Sequence, residues 1–174
     1  MPIVWEQGMK DIYVSQKSNE WETPKWLFYC FNKEYNFNLD AAANEGNALC
    51  HNYLTEEQNS LVHKWEGNVW CNPPYGRSIG KFVKKAYEES KNGSLIVLLI
   101  PARTDTQWWH NYCSKGEVIF IKGRLKFINK TFPSWREDGN FKISPAPFPS
   151  AIVIFGTKNN STTYMTQNEL RQTI

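Results

Sequence analysis

Residues 68–76 read N-V-W-C-N-P-P-Y-G. Asn68 to Cys71 has the composition of a short strand, and two prolines follow at once. Proline donates no backbone hydrogen bond and fixes its own φ. It also drives the residue before it out of helical conformation. Asn72-Pro73-Pro74-Tyr75 is therefore expected to be a stiff, extended turn that holds an amide, two carbonyls and a ring in fixed positions.

The elements on either side set the fold class. Ser78 to Ser90 reads as an amphipathic helix, with Ile79, Phe82, Val83 and Ala86 inward and Lys81, Lys84, Lys85, Glu88 and Glu89 toward water. Ser94 to Ile100 is a continuous apolar run of strand length, typical of a strand buried on both faces, and Pro101 ends it. Thr23-Pro24 predicts a helix start, with Thr as cap and Pro at the first position. Trp26, Leu27, Cys30 and Phe31 follow at helical spacing. Phe37 to Asp40 alternates like a short strand, Ala41 to Ala43 forms a small-residue turn, and Asn47 to Asn52 is read as a short helix. Residues 55–66 are read as loop or broken helix.

Further on, Thr104 to Cys113 is read as a helix capped by Thr104 or Asp105. Glu117 to Ile121 and Arg124 to Ile128 are read as strands, Asn129 to Ser150 as a long loop, and Ala151 to Phe155 as a last buried strand. Alternating strands and helices imply an α/β fold with a mostly parallel central sheet and flanking helices. In such sheets ligands sit at the carboxyl ends of strands. Asp40-Ala-Ala, Asn72-Pro-Pro-Tyr and Pro101-Ala-Arg-Thr all lie at such ends, so parallel strands bring all three to one rim.

Composition narrows the classes. The 174 residues are 41% hydrophobic and 21% charged, the balance of one globular domain. Residues 1–18 are expected to be a polar arm, 19–156 the domain, and 157–174 a polar tail that frays. No apolar run is long enough for a membrane span, and Met1 to Lys10 has no apolar core of a signal peptide. Cys30, Cys50, Cys71 and Cys113 lack C-x-x-C spacing, and His51 and His63 have no partners at ligand spacing, so no metal is expected. Scattered cysteines without a secretion signal imply reduced thiols and a cytoplasmic location. Net charge is +3, unevenly spread. Residues 1–72 hold 5 Lys+Arg against 10 Asp+Glu, and residues 73–174 hold 15 against 7, so −5 gives way to +8. A basic second part suits a polyanionic partner.

Asn72-Pro73-Pro74-Tyr75 resembles the (D/N/S)-P-P-(Y/F/W) motif of S-adenosylmethionine-dependent amino-methyltransferases. Trp21-x-Thr23-Pro24, Leu39-Asp-Ala-Ala-Ala43, the N-P-P-Y-G turn, Leu99-Ile-Pro-Ala-Arg-Thr-Asp-Thr106 and Gly123-Arg-Leu-x-Phe127 are, in that order, similar to the small phage-type DNA N6-adenine methyltransferases. The resemblance spans about residues 19 to 156. It implies a single-domain, Rossmann-like class I methyltransferase fold, S-adenosylmethionine as cofactor and DNA as partner. It also implies that Asn72, Pro73, Pro74 and Tyr75 are catalytic, with Tyr75 stacking on an extruded base. Trp21, Thr23, Pro24, Asp40, Ala41 and Ala42 are implied to line the cofactor site. Asp40 also suits a turn cap.

Arg77, Arg103, Arg124, Lys126 and Arg136 are the expected nucleic-acid contacts. Arg103 suits either a phosphate contact or an ion pair with Asp105 that fixes the loop. Arg124 and Lys126 are expected to share one face, with the loop around Trp135, Arg136 and Lys142 beside them. Trp108 and Trp109 suit core packing better than base stacking. The sequence departs from the wider methyltransferase pattern in lacking an F-x-G-x-G loop. Only 32 positions separate Asp40 from Asn72, and the acid that would hold the cofactor ribose has no clear counterpart beyond Glu56 or Glu57. The same turn also suits RNA-base or protein-glutamine methylation, or a catalytically silent DNA-binding module. The basic second part favours a nucleic acid.

Overall fold

The computed structural model describes residues 21–127 and 145–173. The elements are α1 (Lys25–Tyr35), β1 (Leu39–Asp40), β2 (Asn52–Tyr53), β3 (Asn68–Cys71), α2 (Ile79–Lys91), β4 (Leu95–Pro101), α3 (Gln107–Asn111), β5 (Glu117–Lys122), β6 (Ser150–Phe155), β7 (Thr162–Thr166) and α4 (Gln167–Thr173). The strands form one sheet in the order β2-β1-β3-β4-β6-β5-β7. Only β6 runs against its neighbours, β4 and β5. The other pairings are parallel, so the carboxyl ends of β1, β3 and β4 lie on one rim, as expected from the turns that follow them.

The register divides the core into two layers. Trp70 pairs with Val97, and α1 lies on that face, with Phe28 edge-on to Trp70 at 5.5 Å and Phe31 tilted against it at 6.3 Å. Ile96 pairs with Phe155 on the opposite face, where Tyr87 of α2 meets Phe155 edge-on at 5.6 Å. α2 buries Ile79, Phe82, Val83 and Ala86, the four positions its periodicity marks. Its one buried acid, Glu89, accepts from Lys85 one turn earlier. β4 and β6 are almost wholly buried, which explains why they read as continuous apolar runs. All four cysteines are free.

The helix expected over Thr104 to Cys113 with Thr104 or Asp105 as cap is only Gln107–Asn111, with Thr106 as its capping residue, and Glu89, expected toward water, is buried beside Lys85. Further expectations fail for identifiable reasons. Asn47 to Asn52 is not a helix. The side chain of Asn44 accepts from Gly46 N–H and that of Asn47 accepts from Asn44 N–H, which fixes a turn and leaves Asn52 free to start β2. Arg124 to Phe127 forms only a single antiparallel bridge, Lys126 with Pro145, because the chain turns at Gly123 with φ +82; Ile128 lies outside the described residues. Thr23 does not cap α1. Pro24 is the capping residue, and its carbonyl accepts from Leu27 and Phe28 N–H. The segment after Gly156, expected to fray, instead supplies β7 and α4. β7 pairs with β5 from Val118–Thr162 to Lys122–Thr166, and Leu170 of α4 is buried.

The turn into that last segment needs glycine. Gly156 has φ +95, and a Cβ there would lie 2.3 Å from the Ser94 carbonyl oxygen. Only a residue without a side chain allows β6 to leave the sheet so close to the start of β4.

Candidate active site

The rim of β1, β3 and β4 is built by backbone registry. Asp40 pairs with Trp70, and Cys71 with Leu98. Ala41 N–H then donates to the Trp70 carbonyl at 2.9 Å, so the small-residue turn after β1 lies beside the Asn72 turn after β3.

Asn72 is held from one side only. Its Nδ2 donates to the Trp21 carbonyl at 2.5 Å and to Thr23 Oγ1 at 3.0 Å. A carbonyl only accepts, so the amide nitrogen must face it. Oδ1 therefore faces away, and it is sealed from solvent without a partner. An unsatisfied buried acceptor costs about 1–3 kcal/mol. Native structures rarely keep such atoms except where strain or chemistry uses them.

Tyr75 differs from its expected role as an open stacking ring. It is 8% exposed, and its hydroxyl donates to the Leu99 carbonyl at 3.1 Å. Burial pushes the phenol pKa well up, so it stays a neutral donor. Its ring packs edge-on against Phe127 and Phe148, with centroids 6.1 and 5.3 Å away. Trp21 meets the same two rings edge-on at 5.7 and 5.2 Å. Trp21, Tyr75, Phe127 and Phe148 thus form an aromatic box next to the turn, and stacking on a base requires this box to open. Of the four, Trp21 and Tyr75 are expected site residues; Phe127 enters only as the end of the G-R-L-x-F stretch, and Phe148 not at all, since A-P-F-P-S reads only as a proline-rich loop.

Asp40 serves its own loop. It is 3% exposed, with Oδ1 accepting from Ala42 N–H at 3.4 Å and Oδ2 from Leu49 N–H at 3.1 Å. The turn-capping reading therefore describes its contacts. Burial pushes its pKa from 3.8 up to about 6, with the two backbone N–H bonds pulling the other way. A carboxyl raised on folding favours the native state below its unfolded pKa, and that contribution is lost as pH rises through the folded one. Wild type is thus expected to lose roughly 3 kcal/mol relative to Asp40→Ala between pH 3 and pH 8. Urea denaturation of both proteins across that range measures the difference. A pH-independent gap would contradict the assignment.

Ser60 and Trp65 brace the same turn from beneath. Ser60 Oγ donates to the Ala41 carbonyl at 2.5 Å, and Trp65 Nε1 donates to the Ser60 carbonyl and hydroxyl, both at 3.1 Å. Neither stood out in the sequence, where no spacing ties them to Ala41. β2 brings Leu54 alongside: its N–H donates to the Asp40 carbonyl, and its carbonyl accepts from Ala43 N–H. Glu56 and Glu57 follow, both exposed.

Arg77, Arg103, Arg124 and Lys126 are all exposed. Among the described residues none of the four forms an ion pair. Arg103 does not pair with Asp105. Thr106 fixes that loop instead, donating to the Arg103 carbonyl through both N–H and hydroxyl. Leu125 and Phe127 are buried between and beside Arg124 and Lys126, so the two cations do share a face, without a strand. Trp109 is core, stacked on Phe120 at 5.7 Å, and Trp108 packs beside it. Arg136, Trp135 and Lys142 lie outside the described residues. Within those residues no three His, Cys, Asp or Glu gather to hold a metal, and no helix is long and apolar enough to cross a membrane.

A mostly parallel seven-strand sheet with one reversed strand and flanking helices is consistent with an α/β methyltransferase fold. The comparison with known families makes this specific: the chain belongs to the DNA N-6-adenine-methyltransferase (Dam) family, whose model matches residues 12–173. It is 29% identical over 163 residues to a DNA N-6-adenine-methyltransferase of Haemophilus phage HP1, covering 87% of this chain and 89% of that protein. It is 37% identical over 109 residues to a DNA N-6-adenine-methyltransferase of Escherichia phage T1, covering 60% of this chain and 45% of that protein.

Proposed function

We propose that this protein transfers a methyl group from S-adenosylmethionine to N6 of adenine in DNA, with Asn72 and Pro73 as the groups that activate the amine. The observation that carries this reading is the buried, unpartnered Oδ1 of Asn72 at the rim. It lacks a donor, and an exocyclic amine has two to offer.

The amine lone pair is delocalised into the adenine ring, which makes it a poor nucleophile. Asn72 Oδ1 and the Pro73 carbonyl accept its two hydrogens and draw nitrogen toward tetrahedral geometry. The prolines keep both acceptors in place, so their reorganisation cost is met on folding rather than during reaction. Asn72 is neutral and a poor base, so the proton leaves to water after transfer rather than before it. Pro74 shapes the turn, its carbonyl closed by Gly76 N–H at 3.1 Å. Tyr75 ties the turn to β4 through Leu99, and its ring is the stacking face once the aromatic box opens for an extruded base.

The cofactor, when bound, supplies an electrophilic methyl group. The residues at the rim fit it. The backbone of Ala41 and Ala42 offers close approach, Asp40 shapes that turn from within, and Glu56 follows the end of β2 at the same rim. Trp21 and Pro24 form the adjoining wall. Arg77, Arg103, Arg124 and Lys126 meet the phosphate backbone, with Arg136 as a further contact, so binding weakens with salt.

Expression in a host without its own adenine methylation tests this reading. Nucleosides from the host DNA are expected to contain N6-methyladenine with wild type and none with Asn72→Ala. Methylated cytosine alone, or no modified base, would count against it.

A further inference from the structure

An amide side chain presents either of two ends, and only one suits an amine. Turning the Asn72 amide over would set Oδ1 against the Trp21 carbonyl, acceptor facing acceptor. It would also aim N–H groups at the amine, donor facing donor. One contact prevents this, Nδ2 to the Trp21 carbonyl, which can only accept; Thr23 Oγ1, a hydroxyl that donates or accepts, holds the same end of the amide in place. The segment making these contacts is itself fixed. The Trp21 ring packs on Phe127 and Phe148. Three residues on, the Pro24 carbonyl starts α1. α1 is held against the sheet by Phe28 and Phe31 on Trp70, and against α4 by the Arg171 guanidinium 3.8 Å over the Trp26 ring.

We propose that the Trp21 carbonyl sets which end of the Asn72 amide faces outward and that the Thr23 hydroxyl holds the amide in that position, an orientation lock that makes Thr23 a positioning residue for methyl transfer and makes this site selective for asparagine over ionised aspartate at position 72. The resemblance implies that Trp21 and Thr23 line the cofactor wall; the Trp21 carbonyl and the Thr23 hydroxyl also bind the amide. Aspartate brings two acceptors, one of which must face the Trp21 carbonyl. A protonated aspartic acid avoids this conflict, donating its O–H inward and keeping its carbonyl outward, as the amide does. The inference rests on Asn72 being the acceptor of the amine.

Thr23→Val keeps the shape and removes the inner acceptor. Its kcat is expected to fall about tenfold, the weight of one hydrogen bond, with affinity for S-adenosylmethionine unchanged. Thr23→Ser is expected to restore most of the rate. Asn72→Asp is expected to gain activity as pH falls, since only its protonated form matches the amide, whereas wild type shows no such rise.

The side-chain amide resonance of Asn72, labelled with nitrogen-15 and assigned by its loss in Asn72→Ala, reads the lock without any turnover. It is expected to shift in Thr23→Val and not in Thr23→Ser. Weakened cofactor binding at unchanged kcat in Thr23→Val would make Thr23 a cofactor contact and overturn the lock. So would an unshifted amide resonance, or an Asn72→Asp enzyme with the wild-type pH profile. Absence of methyl transfer by wild type beside an intact resonance shift would instead remove the functional reading and leave the lock standing.

Discussion

Asn72→Ala is expected to lower methyl transfer by at least about 10²–10³-fold, the scale of removing one preorganised polar group from a reacting centre. Affinity for S-adenosylmethionine is expected to stay within about tenfold, roughly 1.4 kcal/mol. The stability side makes this prediction sharp. The substitution removes a buried oxygen that has no partner, which favours the folded state. It also frees the Trp21 carbonyl and the Thr23 hydroxyl, which disfavours it. The two effects oppose, so the melting temperature is expected to move by only a few degrees. Loss of activity at nearly constant stability marks a site group rather than a structural one. Kinetics and a thermal melt on the same preparation check both halves, and unchanged turnover would end the proposed role.

Removing residues 157–174 is expected to prevent folding. β7 supplies five registered pairs along β5, from Val118 to Lys122. α4 buries Leu170 to 1% exposure and places Arg171 over Trp26 of α1. Leu170→Ala alone is expected to cost about 2–5 kcal/mol through transfer and cavity terms. Loss of the whole edge strand and helix exceeds that. Total stability is only about 5–15 kcal/mol for such domains. Circular dichroism of the truncated chain should show no cooperative melt. A melt within a few degrees of the full chain would show these elements to be dispensable.

That segment also shows where sequence reading stops. T-T-Y-M-T pairs on one side only and stays mostly exposed, so no apolar run announces it. Q-N-E-L-R-Q-T commits just Leu170 to the core. β4, β6 and α2 were legible because burial on two faces or one dictates their apolar pattern. β2 was not, since its two residues leave no period to read. Arg124 to Phe127 shows the converse failure. Its alternation is real, with Leu125 and Phe127 buried and Arg124 and Lys126 exposed, yet a turn at Gly123 leaves a single bridge.

At the site, Asn72 and Tyr75 were legible because prolines enforce local geometry whatever the fold. The partners of Asn72 lie 51 and 49 residues away in sequence. Threonine before proline reads as a helix cap, so its use as an acceptor for the amide emerges only when α1 is docked. Ser60 and Trp65, which brace Ala41, and Phe148, which packs on Tyr75, are likewise tertiary facts.

The most direct measurement is transfer of labelled methyl from S-adenosylmethionine by the purified protein into unmodified DNA, with RNA in parallel, followed by nucleoside mass spectrometry. Label is expected in DNA alone, as N6-methyladenine. Label confined to RNA, label on another base, or no label in DNA despite measurable cofactor binding would contradict it.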